Sequence, residues 1–72
     1  MQPRHWREVV DALTALGCTL LHETEDHVHV IRGAMVIQPV PKLQAVPVWL
    51  QRFILANLSF SEAEYVVLLR PN

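Results

Sequence analysis

A single cysteine, Cys18, stands in this 72-residue chain, so no intrachain disulfide can form and an oxidising compartment is not required. It reads as a small apolar residue at the start of a strand rather than as a nucleophile. Basic excess is also missing. Six Lys and Arg face seven Asp and Glu, for a formal net charge of −1. Proteins that hold nucleic acid by neutralising phosphates usually carry a clear positive surplus. Global charge steering toward RNA is therefore excluded, and only a local basic cluster stays open. No long apolar run occurs. Even Val46 to Leu50, with Pro47 inside it, is far too short for a membrane span. Met1-Gln2-Pro3-Arg4-His5 has none of the apolar stretch of a secretion signal, so a cytoplasmic protein with no membrane partner is expected. Repeats and low-complexity segments are lacking too, and the length leaves room for one domain, residues 1–72.

What is present is apolar residue in excess. Of all residues, 51% are hydrophobic. A chain this short buries only about 60% of its unfolded surface, so a surface apolar patch is expected, of the kind that meets a partner or a second copy in a homodimer.

The order of elements can be read along the chain. Trp6, Val9, Val10, Leu13 and Leu16 recur at helical spacing, with Pro3 at the front and Gly17 just past the end, which predicts a helix over about residues 3–16. Thr19 to Glu23 reads as a strand, Thr24-Glu25-Asp26 as a turn, and His27 to Ile31 as a second, alternating strand. Arg32-Gly33 suits a tight turn before a third strand, Ala34 to Gln38. A two-residue turn there pairs Val30 with Met35 and Val28 with Ile37, placing those four on the core face. His27, His29 and Ile31 then lie on the open face with Ala34 and Val36. Whether His22 joins them depends on the first turn.

Pro39, Pro41 and Pro47 bracket a loop, Pro39 to Val46, that stops the third strand. Pro47 can open a second helix to Asn57. Its apolar face is expected to be Trp49, Leu50, Phe53, Ile54 and Leu58, with Gln51, Arg52 and Asn57 as the polar remainder. Ser61-Glu62-Ala63-Glu64 matches a capping box and starts a short helix with Tyr65, Val66, Leu68 and Leu69, which Pro71 ends. Trp6, Trp49, Phe53 and Tyr65 fall on helical stripes and are read as core rather than as base-stacking platforms. The fold class is therefore α+β, α-β-β-β-α with a short C-terminal helix.

Several landmarks match a known family. They are Leu13-Thr14-Ala15-Leu16-Gly17 closing the first helix, the triplet Glu25-Asp26-His27 opening the second strand, and Val40-Pro41 after the third. Gln51-Arg52-Phe53-Ile54-Leu55 and Ser59 to Tyr65 follow. In order and spacing, over about residues 7–69, the chain resembles the HicA (YcfA-like) family of mRNA-cleaving toxins. The resemblance implies a double-stranded-RNA-binding-domain-like fold. It also implies a metal-independent endoribonuclease acting on mRNA without a cofactor, and a HicB-like antitoxin protein as partner. It singles out His27, where the family has Gly-Ser-His. Here Glu25 and Asp26 replace the glycine and serine, Lys42 follows Val-Pro, and the Gly-Thr that usually starts the second helix is missing.

Chemically, His27 could act as a base near neutral pH and His29, two residues on along one strand face, as the acid. Arg32, Lys42 and Arg52 are the candidate RNA-binding cations. Each also has a plainer reading, the histidines as polar residues of a solvated face and the cations as ordinary surface charges. His27-x-His29 with His22 could instead bind a metal, although no Cys/His cluster supports that. A non-catalytic module of the same fold, binding a protein or dimerising, is the alternative from another class.

Overall fold

The computed structural model describes residues 1–34 and 36–69. Helix α1, Trp6–Ala15, starts on His5, whose Nδ1 accepts from the Arg7 N–H. It ends with Gly17 at φ 104°, where the Gly17 N–H donates to Thr14 and the Cys18 N–H to Leu13. Those two bonds satisfy the last carbonyls and need the left-handed residue that glycine supplies. Arg4 lies before the helix, in a bridge with Val46. Three antiparallel strands follow in sheet order β1 (Thr19–Glu23), β2 (His27–Arg32), β3 (Val36–Pro41). Helices α2, Val48–Leu58, and α3, Glu62–Val66, complete the chain. The helices lie over β2 and β3 on one face of the sheet, where Val28, Val30 and Val40 join Val9, Leu13, Ile54, Leu58 and Tyr65 in a single core. This is an α+β architecture, a three-stranded antiparallel sheet flanked by helices.

The second hairpin corrects the expected register. Arg32 pairs with Val36, Val30 with Gln38 and Val28 with Val40, so three residues rather than two join the strands. Val36 and Val40 therefore take the covered face, and Ile37 turns outward, 56% exposed. The expected place of Met35 lies outside the described residues, as does that of Pro71. Nor do the prolines stop β3, which runs through Pro39 to Pro41. As an edge strand it can carry residues without an N–H.

Helix α2 is turned about its axis relative to the expectation. Gln51, Ile54, Leu55 and Leu58 face inward, while Trp49 and Phe53 stand 68% and 54% exposed, outside the core. Gln51 is buried because its amide is fully used. Its Nε2 donates to the Gln2 and Val46 carbonyls, at 2.9 and 3.0 Å, and its Oε1 accepts from the Tyr65 hydroxyl at 2.7 Å. Burying an amide costs little once its hydrogen bonds are made. Burial also pushes the Tyr65 phenol well above its ordinary pKa, so it stays the donor. Residue Ser59 closes α2 at φ 60°, with the Ser59 N–H donating to Ala56 and the Phe60 N–H to Leu55. Ser61 and Glu64 form the complete capping box of α3.

Candidate functional site

Strand β1 bears an irregularity between Leu20 and His22. Leu20 pairs with Val30, yet His22 pairs with His29, so Leu21 is an extra residue. In a regular strand Leu20 and His22 would share a face. The bulge reverses the alternation and re-aims His22. It now stands on the open face beside His29, with ring centroids 5.7 Å apart, and His29 lies 6.3 Å from His27. The three imidazoles form a row across β1 and β2, bordered by Ile37 and Pro39, the outward residues of β3. The sequence offered His22 only as a third metal ligand and left its face open. Only the bulge places it there, and no glycine marks the bulge in the sequence.

His27 is exposed and locally fixed. Its N–H donates to Thr24 Oγ1 at 3.0 Å, and its carbonyl accepts from the Thr24 N–H at 2.8 Å. Exposed Glu25 and Asp26 form the tip of that turn. His29 is half-buried, and its Nδ1 is shielded from solvent with no hydrogen-bond partner. An orphaned ring nitrogen is costly and calls for an explanation.

The three expected cations are not assembled around these rings. Lys42 has its backbone beside them, since its N–H donates to the Asp26 carbonyl. Its ammonium, however, pairs with Glu23 at 2.6 Å and sits 5.2 Å from the Trp6 ring, on the helix side. That pairing holds the Glu23 carboxyl below the usual range, through the hydrogen bond first and the charge second. Arg32 lies at the far end of β2, about 17 Å from His27 at the usual rise per residue. Its Nη1 donates to the Leu58 and Ser59 carbonyls, and its guanidinium rests 4.0 Å from the Phe60 ring. It caps α2. A shallow depression there, lined by Arg32, Gly33, Val36, Leu58 and Ser59, is remote from the histidines. Arg52 is bound to Glu62 on the outer side of α2, across the helix layer.

Among the described residues, no three His, Cys, Asp or Glu side chains are grouped so that they could hold a metal ion. Cys18 is buried, and burial raises its thiol pKa, so it is poorly suited to be a nucleophile. No described helix is long and apolar enough to cross a membrane. Compared with family models, curated proteins and solved structures, the chain matches none.

Proposed function

We propose that this chain is a HicA-like, RNA-binding endoribonuclease of a toxin-antitoxin system, with a double-stranded-RNA-binding-domain-like fold and its site on the open face of the sheet. The observation that carries the proposal is the row of imidazoles, two of them 6.3 Å apart on a single strand. That spacing accommodates a phosphodiester between them. His27 takes the proton of a 2′-hydroxyl, and the freed oxygen attacks the adjacent phosphorus. The bond from phosphorus to the 5′-oxygen breaks, and His29, entering protonated, gives its proton to that oxygen. The products are a 2′,3′-cyclic phosphate and a 5′-hydroxyl, with no metal in the step. Because the Arg and Lys side chains lie elsewhere, imidazolium at His22 or His29 supplies the positive charge facing the phosphate. A HicB-like antitoxin covering this face is the partner the resemblance implies.

A second reading rests on a separate observation. Glu25 and Asp26 stand exposed next to His27, and every expected cation is engaged with the protein itself. A partner-binding module that does not cut RNA would have these features.

Induction in a bacterial host separates the two. For the ribonuclease, growth stops and total RNA is degraded, and both effects vanish with His27→Ala. Continued growth with intact RNA overturns the ribonuclease and leaves the binding module.

A further inference from the structure

Helix α2 repeats its pattern on two sides. Gln51, Ile54, Leu55 and Leu58 close the core. At the same spacing, Trp49, Arg52, Phe53 and Ala56 form a continuous exposed stripe. A surface helix ordinarily gives its outer face to charged and polar residues, and one apolar all round is usually buried all round. The stripe carries a single charge, Arg52, which Glu62 of α3 neutralises. It therefore offers little charge with which to select a partner of opposite sign.

We propose that this stripe binds a second copy of the chain, with the two α2 helices antiparallel across a two-fold axis between residues 52 and 53. The order of side-chain sizes favours self-recognition. In that arrangement Trp49 of one copy meets the partner's Ala56, so the largest side chain faces the smallest, and the symmetry repeats this at the other end. Arg52 then lies beside the partner's Phe53, guanidinium against ring, also twice. A parallel pair would set Trp49 against its own equivalent and leave a gap at Ala56. Helix α2 has 11 residues, about 16 Å of length. It covers less than the roughly 800 Å² per partner of a standard interface, which places the contact in the size class of transient associations. The stripe lies across the helix layer from the histidines, so dimer formation leaves them free and does not depend on their chemistry.

Sedimentation of the full chain over a series of concentrations tests this, with circular dichroism to verify folding. The native chain should pass from monomer to dimer, and Phe53→Glu should weaken the dimer by about tenfold or more. A mixture of Trp49→Cys and Ala56→Cys chains should cross-link under mild oxidation faster than either chain alone, since Cys18 is buried. A monomer at every concentration overturns the proposal, whether or not the protein cuts RNA. So does a dimer that Phe53→Glu leaves intact, as on a heterologous partner site, or cross-linking of Trp49→Cys chiefly with itself.

Discussion

On one face of the sheet, Val28, Val30 and Val40 are shut away beneath the helices. On the other, His22, His27 and His29 stand beside Ile37 and Pro39, turned to solvent. The same strands serve both faces, yet the residues answer to different demands. The covered face is closed by packing and by amides whose hydrogen bonds are complete. The open face holds titratable rings at close range, one with a buried nitrogen that has no partner. Stability should therefore depend on the first face and activity on the second.

The strongest challenge to that division is Ile54→Ala, which empties a wholly buried site. It should cost about 2–5 kcal/mol in chemical unfolding, much of what so small a domain has. A loss near zero would mean that the helix layer is not the stabilising face. Tyr65→Phe comes next. It leaves Gln51 Oε1 buried without its donor, at about 1–3 kcal/mol. The phenol is held neutral in the fold and has a raised pKa there. Its contribution is therefore present below the unfolded value of about 10 and lost as pH rises beyond it. Melting curves of the variant should show a flatter alkaline limb than the native chain.

Glu64 should have a smaller effect with the opposite sign. Hydrogen bonds from the Ser61 backbone first, and then its side chain, lower the Glu64 pKa. That contribution is present above the unfolded carboxylate value of about 4.3 and fades as pH falls through the folded one. Glu64→Gln should flatten the acid limb of melting temperature against pH. Smallest of all is Ile37→Ser on the open face, expected to stay within about 0.5 kcal/mol of the native stability. A large loss there would show that the open face is packed after all.

Where a sequence signal has one reading, the fold follows it. The amphipathic stripe of α1, the glycine at its end, the Val/His alternation of β2 and the capping box at Ser61 all stand as expected. Where local hydrophobicity opposes the tertiary arrangement, it misleads. Gln38 is buried and Ile37 exposed because Asn57 Nδ2 reaches Gln38 Oε1 and the Gln38 amide bonds the Pro39 carbonyl. Helix α2 is apolar on both sides, so periodicity alone could not choose its inner face, and the partners of Gln51 decided it. At the site, the pairing of His27 with His29 was legible from period-two spacing. The place of His22 was not, because a one-residue bulge reverses the face of everything beyond it. The engagement of Arg32, Lys42 and Arg52 with the protein itself was not legible either, because sequence shows a charge and not the partner that occupies it.

The proposed ribonuclease would cut RNA through His27 on a face that contributes little to stability. Purified native chain and His27→Ala should be incubated with single-stranded RNA, free of metal ions, across pH 5–9, with melting temperatures measured in parallel. A bell-shaped rate profile and cyclic-phosphate ends are expected for the native chain. For the variant, about 10²–10⁴-fold less cleavage at an unchanged melting temperature is expected. Cleavage that survives in the variant, or a native chain that leaves RNA intact throughout, would contradict the proposal.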